Sequence, residues 1–174
     1  TDSDGDIFIL GVSGYSLVVT KLDVLGVVVV SSTIGCSTSS DCTFIPTPQQ
    51  IKVDHNDNIL FSFKRLSGGY IDLDPSSNNT YITGPNKFLL LKWTNNLDSL
   101  LWLNYLYGDQ PEQDSGSGGI DTTPQAICFD IDSNNNIYCV SVQNNSLYLN
   151  KYSSEGYVLN NPWEFPIIGY GQIS

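Results

Sequence analysis

Methionine is absent from this 174-residue chain, histidine occurs once (His55) and alanine once (Ala126). Basic residues are scarce: 7 Lys and Arg stand against 18 Asp and Glu, a net charge of −11. A nucleic-acid surface needs clustered cations to replace counterions, and the only adjacent basic pair is Lys64-Arg65. Nucleic acid is therefore excluded as a partner, and an anionic membrane surface would repel the chain. The longest apolar run, around Val27–Val30, is far too short to span a bilayer. A chain that begins at Thr1 without a methionine is expected to be a processed product or a segment of something longer. A single histidine and four cysteines make a zinc site a poor reading. The bias toward Asn, Ile, Ser and Tyr is what an AT-rich coding genome gives.

What is present is a pattern written three times. An Asp-rich turn leads into Asp/Asn-Ile and an apolar strand, and a Lys followed by an apolar residue closes the next strand. The anchors are Asp2 with Asp6-Ile7, Asp54 with Asn58-Ile59, and Asp130 with Asn136-Ile137; the lysines are Lys21, Lys92 and Lys151. Ile7 to Lys21 and Ile137 to Lys151 both span 14 residues, and Gly26 and Gly156 each follow their lysine by 5. Thr47-Pro48-Gln49-Gln50-Ile51 and Thr123-Pro124-Gln125-Ala126-Ile127 add a shared opening strand. A recurring unit of this size implies that no single unit buries its own apolar face.

Strands are expected at Ile7–Val12, Ile59–Phe63 and Ile137–Val142, then at Ser16–Leu22, Phe88–Trp93 and Ser146–Tyr152. The last strand of each unit is expected at Val27–Ser31, Leu100–Tyr105 and Tyr157–Leu159, with an extension past Pro162 in the third unit. These runs are rich in β-branched and aromatic residues and too short for helices, so almost no helix is expected. The fold class is all-β: a propeller-like array of about three four-stranded antiparallel meander blades, apolar on both faces. Residues 1–32 make an incomplete first blade without its opening strand, and 33–46 a linker with a cysteine pair. Residues 47–107 make the second blade with an insertion at 67–87, 108–122 a Gly/Ser linker, and 123–174 the third blade. The inserted loops are where binding surfaces are expected on a repeat array.

The three units resemble the SBBP-type β-propeller repeat. The matching stretches are Asp2–Phe8, Asp54–Leu60 and Asp132–Tyr138, then Leu17–Leu22, Phe88–Trp93 and Leu147–Tyr152, with Trp102 and Trp163 in or after the last strand. The chain departs from the pattern at Leu97-Asp98-Ser99, where the turn glycine is missing, and by a valine in place of the first unit's late Trp. The resemblance implies a propeller scaffold, extracellular or surface-associated, and no specific reaction.

Candidate sites are few. Asp2, Asp4 and Asp6 alternate as calcium ligands do, but the twelfth loop position is Ser13 rather than Glu. The competing reading is turn capping by Asp side chains. Cys36 with Cys42, and Cys128 with Cys139, are spaced for local disulfides or are buried thiols. Asn78 and Asn144 open glycosylation sequons. His55 lacks a nearby nucleophile and reads as a solvated turn residue. Asp72 and Asp74 are too close in sequence to face each other across a sugar. Tyr70, Tyr81, Tyr107 and Tyr170 are the aromatics expected to meet a ligand or partner.

The reading that follows is a non-catalytic structural or interaction module of an exterior assembly, on a virion or cell surface. It would bury blade faces and edges against other protein chains or further blades of its parent. A carbohydrate-binding adhesin that meets glycans through the inserted loops is the second reading, and a fragment of a propeller enzyme the third. No cofactor is expected beyond calcium.

Overall fold

A computed structural model describes residues 1–35, 46–65, 71–76, 80–82, 87–106, 127–143, 146–160 and 163–166. Their regular structure is entirely antiparallel β-sheet. The first sheet holds β1 (Ile7–Ser13), β2 (Ser16–Leu22) and β3 (Val28–Ile34). The second holds β4 (Pro46–Val53), β5 (Ile59–Arg65), β8 (Lys87–Trp93) and β9 (Leu100–Tyr105). The third holds β10 (Ile127–Ile131), β11 (Ile137–Gln143), β12 (Ser146–Tyr152) and β13 (Trp163–Pro166). Each sheet is a simple meander. Between β5 and β8 the insertion contributes a small hairpin, β6 (Ile71–Asp72) and β7 (Tyr81–Ile82).

Side-chain alternation explains the stacking. In the second sheet Ile59, Phe61, Phe63, Leu89, Leu91 and Trp93 point one way, into a core shared with Phe8, Leu17 and Val19 of the first sheet. Leu60, Phe88 and Leu90 point the other way, into a core shared with Phe129, Ile137, Cys139 and Tyr152 of the third. The second sheet is therefore covered on both faces, which is why its strands read as continuous apolar runs. Phe61 meets Trp93 edge-on at 4.9 Å between ring centres. Among the described residues the three sheets stack face to face in chain order and do not close into a ring.

The turns give the repeat its physical meaning. Asp2, Asp54 and Asp132 each open a five-residue turn, with the residue three positions on in the left-handed region: Gly5, Asp57 and Asn135. Asp23, Thr94 and Ser153 open the corresponding later turns, with Gly26, Leu97 and Gly156 at the left-handed position. In each of the five Asp- or Ser-led turns one side-chain oxygen accepts the N–H groups two and four residues ahead, as Asp54 Oδ1 does from Asn56 and Asn58 at 2.8 Å. Asp, Asn and Ser are favoured here because a short polar side chain replaces a missing backbone acceptor.

Several expectations need correction. The third unit's anchor is Asp132 rather than Asp130, because only a carboxylate four residues before Asn136 reaches its N–H. Asp130 instead pairs with Lys52 at 2.6 Å. Ile51 and Ile127, which match in sequence, are out of step by two residues: Ile51 sits opposite Phe61, whereas the matching place in the third sheet is held by Phe129, opposite Cys139. Tyr157–Leu159 is not a strand, with Val158 making one bridge to Tyr152; the edge strand is the part past Pro162, Trp163–Pro166. Asn160 Oδ1 accepts the Lys151 N–H there, displacing a ladder bond. The insertion is partly core, with Ile71, Leu73 and Ile82 buried and the Trp93 indole donating to the Leu73 carbonyl at 3.1 Å.

Candidate functional site: the inter-sheet clasps

In the first two units the lysine reaches back to the aspartate that opens the unit. Lys21 Nζ lies 3.1 Å from Asp2 Oδ2 and 3.0 Å from Asp6 Oδ2. Lys92 Nζ lies 2.6 Å from Asp54 Oδ2, and both side chains are almost wholly inaccessible. In the third unit the Tyr138 hydroxyl donates to Asp132 Oδ2 at 3.3 Å, and the Lys151 ammonium lies 4.8 Å from the Tyr138 ring centre. Hairpin register brings these groups together, since Phe8, Leu60 and Tyr138 stand opposite Lys21, Lys92 and Lys151.

Each of the first two pairs also grips the next sheet. Lys21 Nζ donates to Asn95 Oδ1, whose Nδ2 donates back to Asp2 Oδ2 at 3.0 Å. Lys92 Nζ donates to the Ser154 carbonyl at 3.0 Å. Asn95 and Ser154 both stand second in the later turn of the following sheet. Two further bonds repeat. Ser32 Oγ donates to the Leu97 carbonyl at 2.6 Å, and Asn104 Nδ2 to the Gly156 carbonyl at 2.8 Å. Ser3 N donates to Asp57 Oδ1 at 2.8 Å, and His55 N to Asn135 Oδ1 at 2.9 Å. The two junctions are thus one structure built twice, with equivalent donors and acceptors running from each sheet to its successor.

The pairs are electrostatically committed. Burial, the largest influence on Asp2, raises its pKa, but bonds from Asn95, Lys21 and the Asp6 N–H outweigh it and hold the carboxyl below its usual value. Burial likewise pulls Lys21 down, yet Asp6 and Asp2 hold it above its usual value. Contact with the Tyr138 hydroxyl raises Lys151 against a smaller opposing effect of burial, and the charge of Asp132 adds least.

A groove of about 410 Å³ opens beside the second junction, lined by Asn56, Lys92, Leu101, Trp102, Ser154, Glu155 and Tyr157. The Trp102 indole is committed to the Ser154 carbonyl at 2.9 Å, while Tyr157 is 71% exposed.

The expected site residues fare unevenly. Asp2 and Asp6 come together around the Lys21 ammonium, and Asp4 offers its N–H to Asp2 Oδ1 at 3.2 Å. Among the described residues no cluster of three or more His, Cys, Asp or Glu is placed to hold a metal ion. Cys128 and Cys139 are free thiols, which corrects the disulfide expectation for this pair. Cys128 stands opposite Val140 and Cys139 opposite Phe129, so a one-residue offset sends the two side chains to opposite faces. Burial, then the neighbouring Cys128, drives the Cys139 thiol far above its usual pKa. Cys36, Cys42, Asn78, Asn144, Tyr70, Tyr107 and Tyr170 lie outside the described residues, as does the Tyr81 side chain. His55 is exposed in its turn. Asp72 Oδ1 accepts the N–H groups of Asp74 and Thr80, and Asp74 Oδ1 those of Ser76 and Leu100, so both carboxylates serve the backbone. The sequence reading missed the Asp–Lys pairing. Its signal was a 19-residue separation shared by Asp2–Lys21 and Asp132–Lys151.

No protein-family model matches the chain, and comparison with curated proteins gives no match. No helix among the described residues is long and apolar enough to cross a membrane.

Proposed function

We propose that this chain is a non-catalytic interaction module, a propeller-like stack of sheets that works by burying sheet faces against other protein surfaces in an exterior assembly. The observation that carries the reading is the doubled junction: an Asp–Lys pair, a strand-edge donor and a turn N–H bind each successor sheet. Asp2, Lys21, Asp54 and Lys92 are spent on this joining. The exterior setting is supported by the SBBP-type resemblance and by a composition rich in Ser, Asn and Gly but poor in charged residues.

The outer faces support the reading further. Ile7 and Ile9 on the first sheet are 42% and 48% exposed, and Trp163 and Phe165 at the far edge 47% and 52%. Apolar surface on both ends of a stack marks interaction sites. The test is thermal melting with a hydrophobic dye over a concentration series. Dye binding and a melting temperature that rises with concentration are expected. A dye-silent chain with a concentration-independent melt contradicts the reading.

A second reading, glycan binding, draws on the groove with Tyr157 and Trp102 on its wall. A glycan screen that responds to Tyr157→Ala supports it, and a blank screen removes it.

A further inference from the structure

The third sheet carries the positional counterparts of the gripping set of the first two, on a face that no described sheet covers, with Lys151 now over the Tyr138 ring. Tyr138, Val140, Leu147 and Leu149 hold the positions of Leu60, Ser62, Phe88 and Leu90 in the second sheet, and of Phe8, Leu10, Leu17 and Val19 in the first. Lys151 and Asp132 hold those of Lys92 and Asp54. Lys21 and Lys92 are 8% and 4% exposed and Asp2 and Asp54 8% and 5%, whereas Lys151 and Asp132 are more open than either pair. Trp163, opposite Leu149, holds the place of Ser32 and Asn104 and brings an indole N–H to it.

The first sheet carries the matching half. Ile7 and Ile9 hold the positions of Ile59 and Phe61, which receive the first sheet inside the chain, and Val18 and Leu22 those of Leu89 and Trp93. Its later turn, Asp23 to Val27, has the same hydrogen bonds and left-handed glycine as the turn at Ser153. That turn stands clear, with Val24, Leu25 and Val27 exposed by 64%, 83% and 59%. Val24 and Gly26 correspond to Ser154 and Gly156, whose carbonyls accept the bonds of the second junction.

We propose that the clasp on the third sheet receives the Asp23–Val27 turn and the Ile7/Ile9 face of a second copy of this chain. Lys151 donates to the Val24 carbonyl and the Trp163 indole to the Gly26 carbonyl. The bond from Ser133, the counterpart of Ser3 and His55, finds only Gly5, which has no side chain. The intermolecular junction therefore has two of the three polar bonds and is looser than the internal ones. A head-to-tail contact either closes or polymerises. Two copies make six sheets, inside the range of roughly four to eight in which such arrays close, so the expected species is a dimer of twice 19.1 kDa. This assignment rests on the interaction-module reading and names its partner.

The experiment pairs two variants, each altered at a surface position of one half. Lys151→Glu spoils the clasp and Ile9→Glu spoils the receiving face, with folding of each checked by circular dichroism. The two are labelled with donor and acceptor dyes. Each variant alone should associate at least 10-fold more weakly than the unmodified chain, which corresponds to about 1.4 kcal/mol. Mixing the two should restore energy transfer, because the intact clasp of one meets the intact face of the other. Association unaffected by either variant, or no restoration on mixing, overturns the head-to-tail junction. If the unmodified chain still associates or binds hydrophobic dye, the interaction-module reading survives that failure. A monomeric, dye-silent chain removes both.

Discussion

Lys92 and Asp54 form a 2.6 Å ion pair whose side chains are only 5% and 1% exposed, and the same lysine also holds the Ser154 carbonyl of the next sheet. One ammonium thus closes its own hairpin and joins two sheets. Lys92→Ala should cost about 3–5 kcal/mol, because Asp54 is left buried and uncompensated. The double variant Lys92→Met/Asp54→Asn should lose much less. Urea unfolding of the two would compare them directly.

The first junction predicts a pH window. Asp2 is held below its ordinary value of 3.8 in the folded chain, so its contribution is complete above pH 3.8 and is lost as pH falls through the lowered value. Lys21 is held above 10.5, so its contribution is complete below pH 10.5 and is lost as pH rises through the raised value. Stability measured by denaturant should therefore hold level for this pair between those limits. In Lys21→Met both the acid-side loss tied to Asp2 and the alkaline loss should shrink.

Two turn glycines should respond differently to the same substitution. A Cβ on Gly26 meets nothing within 4 Å, so Gly26→Ala costs only the left-handed backbone, about 1 kcal/mol. A Cβ on Gly156 would stand 2.8 Å from Trp102 Cδ2, so Gly156→Ala adds overpacking of about 1–3 kcal/mol at the second junction. The difference between the two unfolding free energies measures how tightly that turn is seated.

Ser62 faces the third sheet at 0% exposure, and its hydroxyl has no hydrogen-bond partner among the described residues. Its counterpart in the first sheet is Leu10. Ser62→Ala removes the unsatisfied group and should stabilise the chain by about 1 kcal/mol. A loss of stability in thermal unfolding would show that the hydroxyl is satisfied in solution.

Much of this architecture was legible because turn chemistry and alternation are local. The Asp-led turns that open the first two units and the two-faced apolar strands announce themselves within a few residues. The pairing of Lys92 with Asp54 was not, since an insertion stretches their separation and only hairpin register brings them together. Leu97 hid its turn: at φ 57° it occupies the position that Gly26 and Gly156 mark openly. Its side chain is 1% exposed in the core between the first two sheets, and that burial offsets a backbone cost of about 1–2 kcal/mol. The Cys128–Cys139 offset was invisible for a related reason. A five-residue turn fixes register one step away from the symmetric pairing that spacing suggests. The small Ile71–Ile82 hairpin escaped notice because two-residue strands have no period to read.

The most direct test of the stacked-junction account is nuclear magnetic resonance of the lysine ammonium protons over a range of protein concentration. Lys21 and Lys92 should give ammonium signals protected from exchange with water at every concentration, while Lys151 should exchange freely in dilute solution and gain protection as the chain is concentrated. Free exchange at all three lysines, or equal protection of Lys151 in dilute solution, would contradict it.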